Sequence, residues 1–329
     1  MRTTSIPVVA AALAGAVALA GCGATGNAET AEFPSEDLSV VIPYNPGGST
    51  DTMGRLFTDL LADELGVGVK VENVPGAVGS TGVAQVVTGQ DQSGHTVFFA
   101  PYDAVGLVPL QVDGLPYEAA DVNVIGIAIQ APSTLAVKAD APWNTLEELV
   151  AAAKADPGTI RVAAANSGSQ RHMTVEALSA DSGAEFAPVF FTGGAGEGVI
   201  ATLQGSVEAV ITDLGAIAGQ VEAGELKVLG TSDPNFQDNP LLEGATHWND
   251  AGYGLVENVS DGEWVLAVSK DVPEDAVNTL REAFDAVVTS DGWRETVETR
   301  YLIAPDPANT EDTLQVRRDS FTEALPLMS

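Results

Sequence analysis

One cysteine occurs in 329 residues. Cys22 has no second thiol to pair with, so no disulfide within the chain staples the fold. Histidine is nearly as scarce: His95, His172 and His247 are scattered without H-x-x-x-H spacing, and with a lone thiol they make no zinc set. Cations are few, 14 Lys and Arg against 46 Asp and Glu. Phosphate binding needs basic patches, so this balance excludes nucleic acid as a partner. Catalytic signatures are missing as well. "NPGGST" lacks the G-x-x-x-x-G-K-[ST] spacing and lysine of a nucleotide loop, and no G-x-S-x-G elbow occurs. The chain shows no catalytic set, no metal site and no cofactor motif, and it has no repeat of fixed period.

No strongly apolar run reaches the roughly 20 residues of a membrane-spanning helix. The N-terminal "MRTTSIPVVAAALAGAVALAGC" instead has one positive residue, Arg2, and a small-sided apolar stretch, as a secretory signal does. Its end, Leu19-Ala20-Gly21-Cys22, resembles a bacterial lipobox. Residues 1–21 are therefore expected to be removed and Cys22 to carry diacylglycerol. Residues 22–36, small, polar and acidic, read as a flexible lipidated tether to the cell membrane.

The remainder is long for one domain and alternates strand with helix. "LSVVIPY" (38–44), "VGVKVENV" (67–74) and "HTVFFAP" (95–101) are β-branched or aromatic runs. Between them Met53, Leu56, Phe57, Leu60, Leu61 and Leu65 are spaced for one helical face, with Val83, Val86 and Val87 on a shorter helix. This order predicts parallel sheets covered on both faces. The apolar stretch 122–140 is long enough for a strand that leaves one lobe and enters another. A second series follows, from the capping box Thr145-Leu146-Glu147-Glu148 to a strand at 226–234. A strand at 263–269 and the helix after Pro273 come next.

Ligands of open parallel α/β sheets sit beyond the carboxyl ends of the strands, where unpaired N–H groups of helix starts converge. "NPGGST", "NSGSQ" and "TGGAG" are three such junctions, rich in glycine and hydroxyls. A helix dipole favours an anion there by roughly 0.3–1 kcal/mol, up to about 2 when partly buried. Hydrogen bonds to a charged group add roughly 1.5–3 kcal/mol each. A small carboxylate is thus the expected ligand, held by local donors against the repulsive field of an acidic protein.

"IPYNPGGSTDTMGR", "VENVPGAVGSTGVAQV", "LPYEAADVNVIG", "NSGSQRHM" and "GGAGEGVIATLQGSVEAVITDLG" follow one another in the order of the tripartite tricarboxylate transporter receptors, or Bug proteins. The sequence resembles that family over residues 36–305. The resemblance implies an α/β, type II periplasmic-binding-protein fold: two α/β lobes with a ligand cleft between them. It places lobe 1 at 37–129 plus 233–329 and lobe 2 at 130–232. It implies a monomer that passes a di- or tricarboxylate, an aromatic acid or an amino acid to a permease of one large and one small membrane subunit. A ligand-binding component feeding a membrane sensor kinase uses the same cleft and stands as the alternative.

Carried over by position, the first ligand loop is Asn45, Gly47, Gly48, Ser49, Thr50 and Asp51, with the N–H groups of residues 47–50 facing the carboxylate. Asp51 reads either as a helix cap or as a contact. Pro101 and Tyr102 match the cleft floor. In lobe 2, Ser167, Gly168 and Ser169 form the facing loop, with His172 read as a packing residue. Thr192 and Gly193 fall where relatives carry Lys-Gly. Arg171 either clamps a second carboxylate or faces solvent, and Asp213 accepts from a ligand hydroxyl, amine or water.

Overall fold

The computed structural model describes residues 33–191 and 195–328. The leader, Cys22, most of the tether, and Thr192 and Gly193 lie outside the described residues. The chain first forms β1 (Leu38–Ile42), α1 (Ser49–Leu65), β2 (Val69–Asn73), α2 (Ser80–Val87) and β3 (Thr96–Pro101). Two short helices, α3 (Asp103–Gly106) and α4 (Val108–Gln111), precede β4 (Val122–Ala131). The next series is β5 (Ser133–Lys138), α5 (Leu146–Ala155), β6 (Ile160–Ala163), α6 (Gln170–Ser182), β7 (Phe186–Val189) and α7 (Ala195–Leu203). It continues as β8 (Ala209–Asp213), α8 (Ala218–Glu222), β9 (Leu226–Thr231) and β10 (Thr246–His247). The return runs through α9 (Gly254–Ser260) into β11 (Gly262–Ser269), then α10 (Glu274–Val288), α11 (Asp291–Glu298) and α12 (Thr310–Ala324).

These elements make two α/β lobes, one on a five-stranded sheet of order β2-β1-β3-β11-β4 and one on a six-stranded sheet of order β10-β9-β5-β8-β6-β7. Neither sheet is purely parallel, contrary to the sequence expectation. β11 runs antiparallel to β3 and β4, and β5 antiparallel to β8 and β9. Both are the strands that arrive from the other lobe, and a strand entering from the cleft side must run opposite to strands that end there. The expected single strand over 122–140 is two, because Pro132 cannot continue a ladder and marks the passage between sheets. The second sheet extends past residue 232, since β10 pairs with β9 up to His247.

Most sequence-read faces pack as their spacing requires. Val83, Val86 and Val87 are buried, as are Met53, Phe57 and Leu61. Leu56 and Leu60 are not, each 37% exposed. The i, i+4 row of Met53, Phe57 and Leu61 takes the core, and Gly54 beside it lets α1 approach so closely that a Cβ there would lie 2.8 Å from Ile42 Cδ1. Phe57 in turn meets Phe99, Phe284 and Trp293, with ring centroids 5.0–5.8 Å apart.

Where the lobes join, the core turns ionic. Arg317 of α12 is 4% exposed and bonds Glu263 of β11 and the Asn258 carbonyl, with Asp261 at 4.0 Å. Asp261 also accepts from Gln130 at the end of β4 (2.8 Å) and from Ser232 just after β9. One carboxylate thus ties together the two segments that pass between the sheets, at Gln130 and at Asp261 itself, and the end of β9. Burial pushes Glu263 up to about 7, with Arg317 pulling it back, and Glu257 nearby is likewise raised to about 7 by burial.

Arg317→Leu leaves two buried carboxylates uncompensated and is expected to cost about 3–5 kcal/mol in urea denaturation near neutral pH. Because burial raises the folded pKa of Glu263 above its unfolded value, ionising it costs stability as pH rises through that value. The deficit of Arg317→Leu should therefore be larger at pH 8 than at pH 5. An equal deficit at both would show that the carboxylates are not what Arg317 neutralises.

Candidate functional site

β1 delivers the chain into the exposed loop at 45–49, and Gly47 makes the turn with φ +83°, a conformation costly for any residue with a Cβ. Gly48 is the N-cap of α1, with φ −76° and no side-chain cap. Asp51 is therefore not the N-cap. It lies in the first turn and reaches back to accept from the Gly47 N–H at 2.9 Å. Its other oxygen accepts from Arg55 Nε (2.9 Å) and Asn73 Nδ2 (2.8 Å). Burial alone would raise the Asp51 pKa, but the bonds from Arg55, Gly47 and Asn73 outweigh it and hold the carboxyl at about 2. Asp51 thus braces the loop, and the Gly47 N–H is occupied by it. The first helical bond is Thr52 N–H to Gly48 O, 2.9 Å, so the N–H groups of Ser49, Thr50 and Asp51 have no acceptor within the helix. Thr50 is held beneath the loop by Trp264 Nε1, which donates to its hydroxyl at 3.0 Å.

At the end of β3, Pro101 is half-buried and Tyr102 only 1% exposed. The Tyr102 hydroxyl accepts from Arg318 of α12 at 3.2 Å, so this ring belongs to the core beneath the expected cleft floor. The next residue, Asp103, was passed over in the sequence. Its Oδ1 is buried without a hydrogen-bond partner among the described residues. Burial pushes its carboxyl up to about 6, although the N–H groups of Ala104 and Asp103 itself and the Arg171 charge pull the other way.

The facing loop leaves β6 and enters α6. Gly168 has φ +81°, and Ser169 is the N-cap, its hydroxyl accepting from His172 N–H at 3.3 Å. His172 Nδ1 accepts in turn from the Gly168 N–H at 3.3 Å, and its ring lies 4.7 Å from that of Phe190. It braces the loop, as the packing reading has it. Gln111 of α4 donates to the Gly168 carbonyl at 2.9 Å, which brings the α3–α4 segment of one lobe against this loop of the other.

Arg171 does not face solvent. Its side chain is 15% exposed, and Nη2 donates to Asp213 Oδ2 at 3.3 Å. The other Asp213 oxygen accepts from Ala216 N–H at 3.0 Å, capping the turn after β8. A cavity of about 550 Å³ opens here, with Ser49, Thr52 and Met53 on one wall and Asp213, Gly215 and Ala216 on the other. Trp264 and residues 299–302 complete it. Ser49 and Asp213 are thus brought together from opposite lobes. Residues 299–302 carry no motif, and Trp264 lies in a strand whose sheet partners the sequence does not name, so both escaped notice.

Residues 53–323 match the family described as tripartite tricarboxylate transporter family receptor. An uncharacterised-family protein of Cupriavidus necator is 30% identical over 302 residues, 88% of this chain and 86% of its own length. Protein BugT of Bordetella pertussis is 30% identical over 215 residues, 65% of each chain. A solute-binding protein of this family from Polaromonas superposes with a TM-score of 0.75 at 28% identity, over 90% of this chain and 99% of that one. An R. palustris protein with adipate has a similar fold, with a TM-score of 0.73 at 20% identity over 90% and 98% of the two chains. The malate-bound MatC of Rhodopseudomonas palustris gives 0.69 at 22%, over 90% and 100%. The resemblance carried by the five ordered sequence blocks is borne out: the chain belongs to the tripartite tricarboxylate transporter receptor family, whose members are solute-binding proteins and not enzymes.

Proposed function

We propose that this receptor is a lipid-anchored extracytoplasmic protein that captures a small carboxylate solute between its lobes. It hands that solute to a permease of one large and one small membrane subunit. The observation that carries the reading is the meeting of Ser49, at a helix start with free N–H groups, with Asp213 and its partner Arg171 from the other lobe across one cavity. The N–H groups of Ser49 and Thr50, backed by the dipole of α1, supply local positive potential. That potential offsets the repulsion of a chain with formal net charge −32. The adipate and malate held by two proteins of similar fold support a carboxylate of comparable size. Asn45, Gly48, Ser49, Thr50, Pro101, Ser167, Ser169, Thr192 and Gly193 are assigned to the solute-facing surface, and Asp51 and Gly168 to its framework.

A thermal-shift panel of carboxylates tests this. A cognate acid at a hundred times its dissociation constant stabilises by about 2.7 kcal/mol. Neutral amides of the same acids should have no effect; stabilisation by amides and not by acids would contradict the reading. Within the loop, Gly48→Val fits the backbone, because φ is already negative and the added Cβ would meet only the Asn45 carbonyl, at 3.6 Å. It should fold and lose binding by shielding the N–H groups, whereas Ser49→Ala should cost about 0.5–1.5 kcal/mol of affinity, one ordinary hydrogen bond. The reverse ranking in isothermal titration would move recognition from backbone to side chain.

The anchor has its own test. Cys22→Ser should abolish incorporation of labelled fatty acid and leave the protein uncleaved or released, since stable attachment takes more than one acyl chain. Wild-type protein that stays on the membrane with no acyl group would refute the lipid anchor.

A further inference from the structure

Beside the cavity the chain makes one turn that glycine would make with less strain. α11 ends with the Leu302 N–H on the Val297 carbonyl (3.0 Å) and the Tyr301 N–H on the Glu298 carbonyl (3.0 Å). A helix that ends in this pattern puts its turning residue in the left-handed region, where glycine is the usual occupant. Here the residue is Tyr301, with φ +57°. The turn sends neighbouring side chains into different lobes. Leu302 packs against the apolar cluster of the first lobe, with Trp293 and Val297, whereas Tyr301 packs against the cluster of the second lobe that holds Leu214, Ile217 and Leu242. The Tyr301 hydroxyl then donates to Glu222 of α8, 3.2 Å away in the second lobe. One residue earlier, the Arg300 carbonyl lies so close to Gly215, in the turn after β8, that a Cβ there would stand 2.6 Å from it. On the other side, Ile303 exchanges backbone bonds of 2.8 and 2.9 Å with Gln130 at the end of β4.

We propose that residues 300–303 are a strap by which the first lobe clasps the second, with Tyr301 as its positioning residue. Gln130 and the packing of Leu302 fix the strap to the first lobe. The Arg300 carbonyl and the ring and hydroxyl of Tyr301 hold the second. Residues 299–302 also wall the cavity between Ser49 and Asp213, so the clasp sets how far apart those two sides stand. A strained backbone position persists only where its surroundings over-determine it. At Tyr301 the strain is offset by burying a ring against the other lobe, which glycine could not do. Gly215 is the matching half of the clasp. It has no positive φ, so its own backbone does not call for glycine; the close approach of Arg300 does. The clasp goes beyond the carboxylate reading and does not rest on it, because it depends on the two lobes and not on what they hold.

Pulsed electron spin resonance measures the separation of the lobes directly, in protein without solute. Cys22 is the only native cysteine, so residues 23–329, which retain every described residue, carry no thiol of their own. Glu282→Cys on α10 and Ala151→Cys on α5, both at exposed positions, place one spin label on each lobe. The otherwise unaltered chain should show a dominant short-distance population. Tyr301→Gly, which relieves the backbone and removes the ring, should at least halve that population in favour of longer distances. Tyr301→Phe keeps the ring and loses only the hydroxyl, so its shift should be smaller. Gly215→Ala should open the lobes as far as Tyr301→Gly does, since the Arg300 backbone must leave the new methyl group. Melts followed by circular dichroism establish that each variant is folded, and Gly215→Ala, one methyl on an exposed turn, reads the clasp even where Tyr301→Gly does not fold. Distances in the Gly215→Ala and Tyr301 variants identical with those of the unaltered chain would overturn the strap, as would a long-distance population dominating the unaltered chain. Failure of every carboxylate to bind would leave these distances unchanged, so the two readings fail separately.

Discussion

The contact between Arg317 and the carboxylates of Glu263 and Asp261 is the constraint around which the two lobes are arranged. It joins α12, near the C-terminus, to the strand that re-enters the first sheet, and Asp261 reaches on to Gln130 at the other passage and to Ser232 just after β9. A buried ion pair adds little net stability over an apolar substitute, because desolvation offsets the attraction. Its value lies in direction. An apolar plug would let the two chain passages slide, whereas hydrogen bonds to one carboxylate fix where each passes.

From that junction the two antiparallel strands carry the geometry outward. β5 and β11 each lie inside a sheet of the lobe they enter, so the passages are anchored in both cores. The loops at 45–49 and 166–169 are then held at the strand ends by their own braces: Asp51 with Asn73 and Arg55 in one lobe, His172 and Ser169 in the other. Both braces draw on a Gly N–H, Gly47 and Gly168, which share positive φ. The side chains most easily mistaken for ligand contacts therefore shape the loops, and the N–H groups of Ser49 and Thr50 are left without an acceptor within the helix. Local donors of this kind reconcile an anion-binding site with an acidic protein, since each acts at hydrogen-bond range while the dispersed surface charge is screened beyond roughly 10 Å.

Much of this was legible in the sequence because strand-to-helix junctions announce themselves. A β-branched run ending in Gly, Ser or Pro before an apolar period of 3.6 locates both the element and the loop where a ligand sits. Strand direction does not announce itself, which is why β5 and β11 were read as members of parallel sheets. Pro132 was the available signal for the break in the apolar stretch, and the length of that stretch hid it. α12 was missed for another reason: Leu314, Arg317 and Phe321 form its buried row, and an arginine in such a row disguises the apolar stripe. The charge pattern reads as a solvated face, and only the fold reveals that Arg317 has two carboxylates waiting in the core. In the site, the reading stopped at Tyr102, whose ring turns inward to Arg318, one residue short of Asp103, whose Oδ1 is buried without a hydrogen-bond partner among the described residues.

A two-lobed receptor whose passages are pinned at one ionic junction should close about that junction when solute bridges the loops, because solute bound to both lobes favours the state in which they are near. Small-angle X-ray scattering on the soluble domain, alone and saturated with the tightest-binding acid, measures this most directly. A smaller radius of gyration in the saturated protein is the expected result. Superimposable profiles at calorimetrically verified saturation would contradict closure and with it the assignment of the solute to the space between the lobes.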